Sequence, residues 1–429
     1  MIVRVDKIRD CFSLSGPLKP MVRAFVTDDS DVQSMVGYTI GSEAVNITTN
    51  SKWMLRPDGC WHKIGTSDTI SPSNVYGVTW TVGESNKLSR TDGAVDFINP
   101  VPCVNGVGGS SPFDGLMPWA GMQIVEDEFA GVMVSIPKYY YRIVREGDAI
   151  SIQISPSPAD GFAVSPAHMD RGDGKGERDM VYIARYHCGG TQGQSLSGVM
   201  PLGSLTRAQF RATIRSMCDQ NGVTGYSQQD YAMFWTVRLL MLVEYATWDF
   251  QTAIGHGCGA GDMENSGKTD DMPYHTGTVG ESTEEYCVGV QYRYIEDMWA
   301  NVGEFIDGWR MDMETGAVYV TMNPAEFSDT EGGVAVGQIG EENGYGLIMD
   351  WNIPETDGYS WAMTPSVEGM PEDEDFTKAV ADCCSFGGPV LFSGGGADVP
   401  DPGFGPFVLY SDGASCSDPF IGARLQKIP

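Results

Sequence analysis

Apolar and polar residues alternate over Val78-Thr79-Trp80-Thr81-Val82, and similar short runs between Gly, Asn, Ser and Pro fill residues 1 to about 125. A two-residue period turns alternate side chains to one face, so this region is expected to be β-rich. Asn105 to Pro112 reads as a linker or long loop. From about Phe129 the texture changes. Val132 to Pro137, Tyr139 to Val144, Ala149 to Ile154 and Met180 to Tyr186 each read as strands. Two segments carry a helical period instead. The first opens at Thr206 with Gln209 three residues on, a capping-box spacing, and places Phe210, Ile214 and Met217 on one face to about Cys218. The second opens at Ser227 with Asp230 three residues on. It runs to about Trp248 with a wide apolar stripe through Leu239, Leu240, Val243 and Ala246, suited to packing on a sheet. Gly-rich coil follows from Gly255 to Gly280, then a strand from Tyr286 to Val290, an aromatic-rich stretch from Tyr292 to Trp309, and turns with short strands to the end. No internal repeat is found. Two helices in a loop-rich β framework predict an α+β fold.

Charge narrows the partners. The 57 acidic and 27 basic residues among 429 give a net charge of −30. Such a surface repels phosphate backbones and anionic lipid heads, so neither nucleic acid nor a membrane is an expected partner. The N-terminal residues break their apolar run with charges every few positions, so no secretion signal is expected. The longest apolar segment, Tyr231 to Trp248, contains Arg238 and Glu244 and reads as a buried helix rather than a membrane span. Ten cysteines without C-x-x-C spacing read as buried thiols.

Catalytic signatures are sparse. His62, His168, His187, His256 and His275 are far apart in sequence, and the chain holds no phosphate-binding loop, nucleophile elbow or dinucleotide fingerprint. Asp170, Asp173, Glu177 and Asp179 surround glycines, the residue types a calcium loop uses. Their spacing departs from the EF-hand pattern, and Arg171, Lys175 and Arg178 dilute the charge. A solvated turn is expected there, as for the acidic run Glu372 to Asp375. No metal or other cofactor is expected, with calcium left open and unsupported, and no enzymatic activity.

The strongest signal is compositional. From Ala379 to Leu425 there is no Lys, Glu, Gln, Met or Trp, where roughly eight would be expected from their overall frequency. These five types are the ones that N-N-C codons cannot encode, and such codons arise when the adenines of an AAC codon are randomised. Gly394-Gly395, about 25 variable-looking residues, and Ile421-Gly-Ala-Arg-Leu425 together resemble the variable region of proteins diversified by retroelements. Upstream, Tyr292-Arg-Tyr-Ile-Glu-Asp-Met-Trp299-Ala-Asn301-Val-Gly-Glu304-Phe-Ile-Asp-Gly-Trp309 resembles the Y-R-G-I-E-N-x-W-G-N-V-W-E-W-x-D-G block of that group, also found in formylglycine-generating-enzyme-like C-type lectin domains. Ile136 to Tyr140 and Asp179 to Tyr186 are similar to phage members. The similarity covers residues 129–429.

This resemblance implies a C-type lectin fold over residues 126–429, behind a β-rich attachment or oligomerisation domain at 1–125. It further implies a receptor-binding protein of a phage or prophage tail, of the tropism-determinant kind, located in the virion. Its expected partners are a host cell-surface protein or glycan, other tail proteins and copies of itself, a trimer among the options. Within the 390–425 region, the expected ligand surface is Gly396, Ala397, Asp398, Val399, Asp401, Phe404, Val408, Tyr410, Asp412, Cys416, Asp418 and Phe420. The expected framework is Gly394, Gly395, Trp299, Asn301, Glu304, Trp309, Gly422 and Arg424, with Ser415 and Ser417 assigned to it as well. A cysteine oxidase of the formylglycine-generating type is the enzymatic alternative. It needs two closely placed reactive cysteines, and the C-terminal part offers Cys383, Cys384 and Cys416. A purely structural virion protein is the remaining reading.

Overall fold

The computed structural model describes residues 2–11, 19–26, 32, 35, 42–46, 52–55, 61–64, 74–257, 263–280, 288–339, 346–369, 379–380, 382–394 and 405–429. The chain divides into two compact units, Met1–Ser73 and Asn74–Pro429. In the first, strands Ile2–Cys11, Lys19–Val26, Glu43–Asn46, Lys52–Leu55 and Trp61–Ile64 form one sheet in sequence order. Ala24, Val26, Ala44 and Leu55 are buried in its core.

The division near residue 125 expected from the sequence falls inside the second unit. Strand Tyr76–Thr81, the segment of clearest alternation, pairs antiparallel with Ala149–Ser155 along its whole length. That pairing draws the stretch after Ser73 into the larger unit. Residues 105–112 are not a linker either, since Val107–Ser110 forms a hairpin with Val101–Val104.

The α+β C-type lectin fold with two helices behind a small N-terminal domain is corrected by the structure. Among the described residues strand far exceeds helix, and the strands fall into several sheets. Helical segments announce themselves by period, whereas short strands broken by turns show little of one, so the part after residue 255, read as Gly-rich coil followed by turns and short strands, carries two whole sheets and most of a third.

Helix α1, Arg207–Asn221, starts as expected. The Thr206 hydroxyl accepts from Gln209 N, the Gln209 side chain accepts from Thr206 N, and Gly222 ends the helix at φ 64°. Helix α2, Tyr231–Tyr245, begins at Asp230 rather than Ser227, because Tyr226–Gln228 is recruited as a strand against Leu425–Lys427. All of its residues are buried, so it is a central helix and not a one-sided amphipathic one. Around its apolar side chains Trp235 meets Trp351 edge to face with rings 5.1 Å apart, Phe407 meets Trp248 and Trp351 edge to face, and Trp248 stacks on Trp351. Helix α3, Phe250–Ala253, is a single turn capped by Asp249. The strand expected from Tyr286 lies partly outside the described residues, and its visible continuation is Val290–Tyr292. The acidic run 372–375 lies outside them entirely.

Candidate ligand-binding face

The C-terminal segment is threaded through two sheets. In one, the strand order is Thr364–Gly369, Gly346–Asn352, Cys383–Phe386, Leu409–Asp412, Val390–Ser393, Gly303–Ile306, Ile421–Ala423. In the other, Leu425–Lys427 lies between Met180–Ala184 and Tyr226–Gln228. Leu409–Asp412 and Ile421–Ala423 are thus three strand spacings apart, about 14 Å. The two run in the same direction, so residues 413–420 must pass from one end of the sheet to the other across the two strands between them.

That crossing is pinned at both ends, by bonds within itself and by bonds to Ser204 and Gly303. Gly413 N donates to Asp412 Oδ1 at 2.6 Å, and Cys416 N to the Gly413 carbonyl at 2.8 Å. Phe420 N donates to Asp418 Oδ1 at 2.8 Å, Ser204 N to the Asp418 carbonyl at 2.8 Å, and Gly303 N to the Phe420 carbonyl at 2.9 Å. Asp412, Ala414, Ser415, Ser417 and Pro419 are exposed, whereas Cys416, Asp418 and Phe420 are half-buried. Ser415 and Ser417, assigned to the framework from the sequence, therefore stand on the open side of the turn.

The remaining expected surface positions divide. Val408 is fully buried in a cluster with Leu347, Ala379 and Cys383, so it is a core residue rather than a ligand contact. Tyr410 is half-buried and stacks on Phe392, ring centroids 5.6 Å apart. Gly395, Gly396, Ala397, Asp398, Val399, Asp401 and Phe404 lie outside the described residues.

Beneath the turn sits a frame of buried polar contacts. Arg424 is fully buried; its Nε donates to Glu304 Oε1 at 2.7 Å, Nη1 to the Ala184 and Arg185 carbonyls at 3.0 and 2.8 Å, and Nη2 to the Glu296 carbonyl at 2.6 Å. His187 Nε2 lies 3.1 Å from Glu304 Oε1. Burial alone would raise the Glu304 carboxyl, but Arg424 and His187 outweigh it and hold it at about 2. Burial, helped by Arg424, pushes the His187 imidazole below its ordinary value. The Glu296 carboxylate accepts from Gly267 N, Thr269 N and Thr269 Oγ1. Asn301 takes the left-handed conformation at φ 68°, which Asn tolerates better than most residues. Its amide clasps Glu264, accepting from the backbone N at 2.8 Å and donating to the carbonyl at 2.9 Å. Trp299 is buried and donates from Nε1 to the Gly255 carbonyl; Trp309 is buried beside Phe386. Gly394, at φ 80°, passes so close that a Cβ would stand 2.8 Å from the Met298 carbonyl oxygen, and one on Gly422 would stand 2.9 Å from that of Leu202.

The cysteines of this part are not arranged as reactive thiolates. Cys383 and Cys384 are buried within a strand, and Cys416 is on the turn. Burial pushes the Cys384 thiol up and the Cys416 thiol up to about 11, opposite to what a reactive thiolate requires. In the 170–179 loop, Asp173 is bonded to Arg178, and Asp179 lies 2.6 Å from Lys138 Nζ. Among the described residues no three His, Cys, Asp or Glu side chains converge on a metal position, and no helix is long and apolar enough to cross a membrane.

One polar cluster gave no sequence signal. Half-exposed Asp114 accepts from His275 Nε2 at 2.9 Å, Tyr274 Oη at 2.9 Å and Arg293 Nη2 at 3.1 Å, while Arg293 also clamps buried Glu244. Asp114 lies 160 or more residues from Tyr274, His275 and Arg293, and Ser111 Oγ is turned to Glu244 rather than to the imidazole. The cluster ties the Ser111–Asp114 turn to the Tyr274–Arg293 region. No protein-family model matches this chain, and no curated protein matches it.

Proposed function

We propose that the chain is a ligand-binding protein of a phage or prophage tail, recognising a host-surface protein or glycan through the turn at Asp412–Phe420. The observation that carries this reading is a coincidence of two features. The window lacking Lys, Glu, Gln, Met and Trp includes an exposed turn whose two ends enter a buried frame held by Arg424 and Glu304. A turn anchored in this way tolerates sequence change without unfolding the core, as a diversified binding loop requires. Asp412 and Asp418 supply acceptors, so basic or hydroxyl-rich partners are favoured. Single weak contacts gain strength by avidity when several copies engage one cell.

The test is to replace Ala414, Ser415, Ser417 and Pro419 together and to measure both the melting temperature and the adsorption of labelled protein to a panel of bacterial cells. Lost or redirected adsorption with an unchanged melting temperature supports the reading. Adsorption that survives the replacement removes it. Sequencing the gene and its flanks tests diversification separately. A near-copy of the 390–425 coding segment differing only at adenines, beside a reverse-transcriptase gene, is the expected finding.

A further inference from the structure

A cavity of about 420 Å³ opens between helix α1, strand Tyr226–Gln228 and the turn at Asn323–Ala325, a volume in the range of small-molecule sites. In a chain of net charge −30, four basic side chains line it: Arg171, Lys175, Arg211 and Arg215. Arg211 is consumed by Asp307 and Asp329. Arg171 is not. Its Nη2 pairs with Asp230 and its Nε donates to the Met322 carbonyl, yet its Nη1 has no hydrogen-bond partner among the described residues. Asp230 is already engaged by Met233 N and Gln426 Nε2. The side chain is only 1% exposed, and a buried guanidinium N–H without an acceptor is costly.

The rest of the lining selects the anion. Asp173 and Asp219 share the cavity and would repel a dianion, while Ile214 and Phe327 provide an apolar wall. We propose that this cavity is a binding site for a small organic monocarboxylate, its carboxylate taken by Arg171 with Lys175 and Arg215, its apolar body held by Ile214 and Phe327. The site is separate from the C-terminal turn and does not rest on the function proposed for that turn.

Ligand-detected NMR titration of the full chain with hexanoate tests it, with hexanol and inorganic phosphate as companions. Saturable hexanoate binding is expected, with hexanol and phosphate each weaker by about tenfold or more, one charge-assisted contact being worth roughly that factor. The exposed pair Lys175→Ala/Arg215→Ala should weaken hexanoate by about tenfold, and Ala325→Trp, at an exposed lining position, should block it. Arg171→Lys should fold and bind more weakly; should it not fold, the other two variants decide alone. No saturation by hexanoate overturns the proposal. So do hexanol binding as strongly, which marks a merely apolar hollow, phosphate binding as strongly, which marks a general anion site, or binding unchanged in both the double variant and Ala325→Trp.

Discussion

Arg424→Met isolates the frame beneath the turn. Methionine keeps much of the side-chain length and removes every donor that Arg424 presents to Glu304, Ala184, Arg185 and Glu296. Glu304 is left buried with His187 as its neighbour. The arginine and histidine together hold its carboxyl at about 2 against an ordinary 4.5, a gap that corresponds to roughly 3 kcal/mol. Carbonyls losing a donor add to this, so the expected loss is about 3–5 kcal/mol, the range for removing one side of a buried ion pair. Because the folded carboxyl lies below its unfolded value, the contribution is complete above about pH 4.5 and fades as pH falls toward 2, so pH 7 reads it in full. Urea denaturation followed by tryptophan fluorescence on Arg424→Met, Glu304→Leu and the double variant forms the cycle. The double variant buries no orphan charge and should lose clearly less than the sum of the singles. Additive losses, or a single-variant loss below about 1 kcal/mol, would refute the reasoning.

Three further outcomes follow from other residues. Val408→Asp should cost about 3 kcal/mol or more by burying a charge in an apolar cluster, while Ser415→Asp on the exposed turn should leave the urea midpoint within error. His168 is buried between Ser165 Oγ and the Ile136 carbonyl, and burial lowers its imidazole to about 4. Its folded value lies below its unfolded one, so stability is complete above about pH 6.5 and about 3 kcal/mol drains away as pH falls to 4; His168→Gln should flatten the urea midpoint against pH between 7 and 4.5. Arg238 is fully buried and lowered by burial to about 9, with Nε on the Pro406 carbonyl, the guanidinium 3.9 Å over Phe234, and Nη1 and Nη2 without partners among the described residues. Arg238→Met should stay within about 1 kcal/mol of the parent or gain stability, in contrast to Arg424→Met, and equal losses in the two would contradict that distinction.

What the sequence makes legible is what local chemistry decides. Thr206 and Gln209 specify a helix start by themselves, and the structure has the capping box at those atoms. Ser227 and Asp230 offer the next start equally well by spacing. The choice between them is made by Leu425–Lys427, about 200 residues away, which takes Tyr226–Gln228 as a strand partner. The same holds for the frame: Glu304 and Arg424 are 120 positions apart, and no period in either segment points to the other. The Gly, Asp, Ser and Pro content of 412–419 marks a turn correctly, yet Val408 beside it looks like one more surface anchor until the neighbouring strands close over it. The division of the chain turns on the same kind of distant pairing. Alternation identifies Tyr76–Thr81 as a strand without saying that its partner is Ala149–Ser155.

The bonded frame is built largely from arginine. Short strands close few ladder bonds, which leaves many buried carbonyls needing donors from elsewhere. Arginine supplies several donors from one planar group, and here it is drawn inside to do so. Arg207 donates to the Ile306 and Trp309 carbonyls, Arg90 to those of Val243 and Glu244, Arg171 to that of Met322, and Arg424 to three more. Most of these groups also pair with a carboxylate, as Arg171 does with Asp230, Arg207 with Asp329 and Arg424 with Glu304, so the charge brought inside is matched there. Because these pairs remove positive and negative charge together, the excess of 57 acidic over 27 basic residues is left to the rest of the chain. A turn carrying Asp412 and Asp418 on such a surface disfavours anionic partners by its setting as well as its own residues. An anion is accommodated only where basic side chains remain incompletely used, and Arg171 with Lys175 and Arg215 is such a place.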